Sequence, residues 1–198
     1  MKRSRVFAVL AVLTAFLSAC GINSIPRAEE EAKAKWADVQ AAYQRRMDTL
    51  PSIVNAARAA GTHERGLQVG YAQARSGADA ARVTTDQLTD PQAMQRFAAA
   101  QQGVSAFIIR ATQEAVPTNE TARNWREVQA QIEGANNRIT IAIRDYNEAV
   151  RAYNTRIRTF PSVIGARVIY GSQPMVPYQA DEAAQRAPSV ADAFGNNQ

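Results

Sequence analysis

An all-α fold is predicted for this chain: an elongated antiparallel four-helix bundle of long helices, followed by an irregular C-terminal tail. Three observations predict it. Of 198 residues 39 are Ala, 46% are apolar, and only 7% are aromatic, a composition that favours helices over sheets. Six apolar residues, Trp125, Ile132, Ile139, Tyr146, Tyr153 and Phe160, recur at a spacing of seven. That repeat marks one long helix packing at a shallow angle against others. Breakers divide the rest into a few long segments of helical periodicity.

Residues 1–19 stand apart. Lys2, Arg3 and Arg5 precede an apolar run from Val6 to Leu17 that only Thr14 interrupts. A basic start, a short apolar core and small residues at 18 and 19 have the layout of a secretory signal peptide. The run is shorter than the ~20 residues a membrane-spanning helix needs. Leu17-Ser18-Ala19-Cys20 matches the lipobox of bacterial lipoprotein precursors in all four positions. Cys20, the only cysteine, is therefore the expected lipidation site, and two or three acyl chains such as palmitate would anchor it stably. Gly21 is not the Asp that retains lipoproteins in the inner membrane. The expected location is the outer membrane facing the periplasm in a Gram-negative cell, and otherwise the outer face of the cell membrane.

Residues 20–25 read as the lipidated tether and 26–160 as the helical bundle. Asn23 or Ser24 can cap the first helix, with Pro26 in its first turn and Glu29, Glu30 and Glu31 placed to complement its dipole. Trp36, Val39, Tyr43, Met47, Leu50, Val54 and Ala57 form its apolar face, and Pro51 forces a kink or break near Thr49–Leu50. Gly61 ends this segment. A second helix, from about Thr62 to Leu88, carries Leu67, Tyr71, Ala74, Ala78 and Ala81. Asp90 caps the third, Pro91 is its first residue, and Met94, Phe97, Gln101, Val104, Ile108, Ala111 and Ala115 line it. The heptad helix, from Asn119 to Phe160, spans about 60 Å at 1.5 Å per residue. Its second stripe is Val128, Ala135 and Ala142, then Ile143, Val150 and Ile157. Residues 161–198 form a tail rich in Pro and Gly. Val163, Ile164, Val168, Ile169 and Tyr170 are expected to pack back on the bundle, and the end from about Ala180 to be mobile.

Charge and motif content narrow the function. Removing residues 1–19 leaves 20 basic and 18 acidic residues, a net of +2, without a basic run for nucleic acid. Phosphate loops and nucleophile elbows are missing, and His63-Glu64 lacks the second His of a zinc peptidase helix. His63 reads as a surface or capping residue. Glu127, Glu133, Asp145 and Glu148 read as solvated or ion-paired positions. No catalytic, metal or cofactor residue is expected.

One segment is unusual. Tyr146-Asn147 and Tyr153-Asn154 repeat seven apart, ahead of Phe160-Pro161. The tyrosines fall on the core stripe and the asparagines beside it. Buried amides need partners. The Met47 carbonyl, which Pro51 deprives of its usual donor, is the expected one. Alternatively, the Tyr/Asn/Arg edge forms a groove for a partner peptide.

That segment resembles the signature of the LemA family. Asn23-Ser24-Ile25-Pro26 with the Glu run, Trp36, Tyr43-Gln44-Arg45-Arg46, Leu50-Pro51 and His63-Glu64 resemble its first half. Arg138-Ile139, Tyr146-Asn147 through Phe160-Pro161, and Pro188-Ser189-Val190 resemble its second half, so the likeness covers about residues 22–190. Ser52-Ile53, Asn136 and Ala115-Val116-Pro117-Thr118 depart from the family pattern. So does the lipoprotein-type start, where family members often carry a transmembrane helix. The resemblance implies a membrane-tethered bundle and no defined activity, with Pro51, Tyr146, Asn147, Tyr153, Asn154, Phe160 and Pro161 as structural signature residues. The expected role is a non-enzymatic envelope scaffold or adaptor for another protein. The alternative is a self-associating structural or membrane-remodelling protein.

Overall fold

The computed structural model describes residues 23–62, 64–115, 118 and 120–179. Cys20, His63, Asn119 and the end of the tail lie outside the described residues. Five long helices make up the body: α1 (Ser24–Asp48), α2 (Leu50–Ala59), α3 (Glu64–Ala80), α4 (Pro91–Gln113) and α5 (Ala122–Arg156). A one-turn helix, α6 (Ser162–Gly165), runs into a π-turn, Ala166–Tyr170. Among the described residues there is no strand. The all-α architecture is as expected.

The first predicted helix breaks where expected. Thr49 separates α1 from α2, its N–H and Oγ1 both donating to the Arg46 carbonyl, at 3.2 and 2.7 Å. Thr49 keeps near-helical dihedrals (φ −84°, ψ −14°), so the chain bends rather than reverses. Pro51 then sits in the first turn of α2, where a missing N–H costs nothing. Asp90 caps α4 as expected, accepting from the Gln92 N–H at 2.8 Å.

α1 and α5 pack antiparallel. The start of α1 meets the end of α5, where Arg156 Nη1 donates to the Ser24 carbonyl at 3.3 Å. α3 and α4 form a second antiparallel pair. Two apolar clusters result. One joins α1, the start of α4 and the C-terminal half of α5 around Trp36, Phe97 and Tyr146. The other joins α2, α3, the rest of α4 and the N-terminal half of α5 around Leu50, Phe107 and Trp125. Both heptad stripes of α5 are buried from Trp125 through Ile157.

Four expectations are corrected. Glu29 and Glu30 pair with Lys33, at 2.8 and 2.9 Å, and none of the three glutamates lies in the first turn of α1. α3 stops at Ala80, and Leu88 reaches the core from a loop after a 3-10 turn, Thr85–Gln87, held by a Thr84–Gln87 capping box. α5 spans Ala122–Arg156, shorter at both ends than the periodicity implies. Ser162 Oγ donates to the carbonyls of Arg156 and Thr159, at 2.7 and 3.0 Å, and so satisfies C-terminal acceptors while the chain turns away. That turn carries Phe160 off the core stripe: it is 80% exposed, and Pro161 is exposed beside it across a cis peptide bond. Finally, Ile164, Val168, Ile169 and Tyr170 face solvent; among the described residues of the tail, Ala166, Met175 and Tyr178 enter the core.

Candidate functional site

The Tyr-Asn repeat of α5 grips the chain's own tail. Asn147 Nδ2 donates to the Tyr178 carbonyl at 2.9 Å, and the Tyr178 N–H donates back to Asn147 Oδ1 at 2.8 Å. Asn154 does the same with Met175, at 2.8 and 2.9 Å. The tyrosine hydroxyls add single bonds, Tyr146 to the Val176 carbonyl at 2.9 Å and Tyr153 to the Gln173 carbonyl at 3.1 Å. The spacing has a simple metric basis. Seven helical residues rise about 10.5 Å. Three extended residues advance about 10 Å. Residues 147 and 154 therefore face 178 and 175, and residues 146 and 153 face 176 and 173.

A carboxamide carries a donor and an acceptor side by side, as a peptide edge does. Each asparagine thus replaces a neighbouring strand for a tail segment that has none. The Val176 N–H, which points elsewhere, donates to the Leu88 carbonyl at 2.8 Å. Pro174 and Pro177 have no N–H to satisfy and hold the chain extended, as they do the residues before them. The prolines that break helical periodicity are what fits this strap to its ladder.

Tyr178 closes the strap over the core. Its ring centroid lies 5.9 Å from Trp36, 6.2 Å from Tyr43 and 5.6 Å from Phe97, each near edge-to-face. Such pairs each contribute about 0.5–1.5 kcal/mol beyond area burial. Trp36 also meets Tyr146 at 5.1 Å, and its Nε1 donates to the Val83 carbonyl at 3.0 Å. The Tyr178 and Tyr43 hydroxyls share a 3.1 Å hydrogen bond. Burial raises the pKa of Tyr43, Tyr146, Tyr153 and Tyr178, so the phenols remain neutral and act as hydrogen-bond groups, not bases.

Arg46 lies below this aromatic cluster, 1% exposed. Its guanidinium sits 5.0 Å from the Tyr43 ring centroid and donates to Ser105 Oγ, to the Gln101 carbonyl and to Gln101 Oε1. Every one of these acceptors is neutral, and desolvation lowers the Arg46 pKa.

This arrangement overturns the expected link between the asparagines and Pro51. Both amides are spent on residues 175 and 178, and the break at Thr49 is satisfied locally. The groove considered for a partner peptide holds the chain's own residues 173–179. Sequence reasoning missed the strap and the pairing of Arg46 with Gln101, although it placed Gln101 on the lining face of its helix. Prolines at 174 and 177, each followed by a large apolar residue, were the available signal, because their three-residue period matches the heptad in length. The acidic residues behave as expected, Glu127 pairing with Arg123 at 3.4 Å and Asp145 with Arg144 at 3.1 Å. Among the described residues no group of three His, Cys, Asp or Glu side chains could hold a metal. No helix among them is long and apolar enough to cross a membrane.

The LemA family model matches residues 35–191, a span that includes the aromatic cluster, Arg46, the Tyr-Asn ladder and the strap. The chain belongs to the LemA family. Comparison with curated proteins finds no match. The ladder gives Tyr146, Asn147, Tyr153 and Asn154 of that signature a structural task. Phe160 lies outside both the ladder and the core, and Pro51 marks the break between two helices.

Proposed function

We propose that this LemA protein is a membrane-tethered bacterial envelope lipoprotein, held by acyl chains on Cys20 and acting as a non-enzymatic scaffold or adaptor for another envelope protein. The lipobox Leu17-Ser18-Ala19-Cys20, four residues ahead of the α1 start at Ser24, carries this reading. Such a tether sets the start of α1 and the end of α5 at the membrane and directs the α3–α4 pair away from it. The ladder supports the scaffold role, because its polar groups are engaged with the chain's own backbone and its phenols are held neutral.

Two measurements test the reading. Intact mass of the protein from membranes should show loss of residues 1–19 and added acyl mass. Crosslinking and pulldown from membranes should capture a defined envelope protein with the native chain and lose it with Cys20→Ser. Capture of nothing specific removes the adaptor role, and crosslinks only to further copies of the chain replace it with self-association.

A further inference from the structure

We propose that the turn from Phe160 to Tyr170 is a membrane-contacting knuckle that seats in the interfacial layer of an anionic bilayer beside the lipid anchor. The inference rests on the anchored reading above and adds a second, non-covalent contact to it. Phe160 and Val168 are each 80% exposed, Ile169 60%, Ile164 57% and Tyr170 41%. These are five of the seven large apolar side chains that stand exposed among the described residues, and they share an eleven-residue stretch. Large apolar side chains left exposed together in one short segment mark a contact surface. The segment is not loose apolar debris. Ser162, Gly165 and Ala166 are buried and fix its inner side against the bundle, and Ser162 Oγ ties it to the end of α5. The buried inner side leaves the apolar side chains pointing outward, uncovered by any of the described residues.

Position selects the occupant. The knuckle follows directly on Arg156, and Arg156 Nη1 donates to the carbonyl of Ser24, the first residue of α1. Cys20 precedes Ser24 by four residues, at most about 14 Å of extended chain. An acylated Cys20 therefore holds this end of the bundle within reach of the bilayer surface. Charge agrees. From residue 149 to residue 180 the chain contains no Asp or Glu, and it carries Arg151, Arg156, Arg158 and Arg167. Apolar side chains flanked by arginines, with one tyrosine, suit the boundary between acyl chains and anionic headgroups. A second protein could also cover an apolar patch, but it would not need to lie at the tethered end.

The test places a reporter in the knuckle. Trp36 and Trp125 are buried, so neither is open to quenching from the bilayer. Tyr170→Trp adds one exposed indole in the knuckle, and Val69→Trp adds one on α3 as a control. The full-length chain, purified from membranes, is reconstituted into phosphatidylethanolamine/phosphatidylglycerol vesicles with and without brominated acyl chains. The expected result is a blue shift and loss of the added emission for Tyr170→Trp, with none for Val69→Trp. Adding Ile164→Asp and Val168→Asp to Tyr170→Trp should abolish the quenching, and circular dichroism checks that the helices persist.

Intact mass of the same sample separates this inference from the anchor. Acylated protein with a quenched knuckle supports both. Acylated protein with an unquenched knuckle overturns the knuckle and leaves the anchor standing. Protein without acyl mass but with a quenched knuckle overturns the anchor and keeps the bilayer contact. Protein with neither overturns both. Emission that follows protein concentration and ignores bromination assigns the patch to a second copy, and overturns the inference.

Discussion

Arg46 rests on Gln101: one guanidinium nitrogen, Nη2, donates to both oxygens of that residue, the side-chain Oε1 at 3.0 Å and the backbone carbonyl at 3.1 Å. The pair joins α1 to α4 just ahead of the break at Thr49, near the boundary between the two apolar clusters. A buried charge held by neutral acceptors is tolerated rather than strongly favoured.

Gln101→Leu should therefore cost about 1.5–3 kcal/mol, because a charged donor loses an acceptor inside the core. Adding Arg46→Met removes the charge as well and should restore stability to within about 1 kcal/mol of the native chain. Urea denaturation of the two variants decides this. A double variant no more stable than Gln101→Leu alone would show that Arg46 is worth more than its hydrogen bonds imply.

Each ladder asparagine makes two bonds to strap backbone, so Asn147→Ala and Asn154→Ala should each destabilise by about 1–3 kcal/mol. Asn147→Asp should be worse than Asn147→Ala at neutral pH. Its carboxylate would face the Tyr178 carbonyl, an acceptor opposite an acceptor. Limited proteolysis between residues 171 and 179 reads the strap directly: cleavage should rise in every one of these variants. Unchanged cleavage would mean that Met175 and Tyr178 packing alone retains the strap.

Alkaline pH should unfold the protein from about pH 10 upward. Burial raises the folded-state pKa of Tyr43, Tyr146 and Tyr178 above the ordinary value of 10.0. Below that value both states are protonated and stability is fully present. Above it the unfolded chain loses protons that the folded chain keeps. Each such phenol then removes up to about 1.4 kcal/mol of stability per pH unit. Tyr178→Phe should reduce the slope, as measured by denaturant midpoints from pH 8 to 11.

Two glycines of α3 should respond oppositely. Gly77→Ala meets open space and should stabilise by about 0.5–1 kcal/mol through helix propensity. At Gly70 an added methyl would lie 2.9 Å from the ring of Phe107, itself buried, so Gly70→Ala should gain nothing or lose stability. Thermal melts of the two variants compare them. Equal gains would show that the Phe107 ring can move aside.

The helices were legible in the sequence because α5 is buried along a strict seven-residue stripe and because Asp90-Pro91 and Pro51 mark helix ends by local rules. Leu88 and the true end of α3 were not, since a loop residue reaches the core without any periodicity. Phe160 misled for the opposite reason: it keeps the heptad phase after the backbone has left the helix. Of the ladder, Tyr146 and Tyr153 were legible as core residues, and both asparagines as amides in need of partners. Their partners lie 20 to 31 residues downstream, in a segment recognised by its backbone, so no side-chain pattern named them.

That mode of recognition frees the tail's alphabet. The ladder touches carbonyls and N–H groups at 173, 175, 176 and 178 and reads no side chain there; Met175 and Tyr178 enter the core, Val176 packs against it, and Pro174 and Pro177 hold the chain extended. Gln173 is exposed and can be exchanged for other residues of extended habit without loosening a single rung. The segment is thus a fastening whose rungs ignore the lettering, and whose remaining constraints come from the core beneath it and from its prolines.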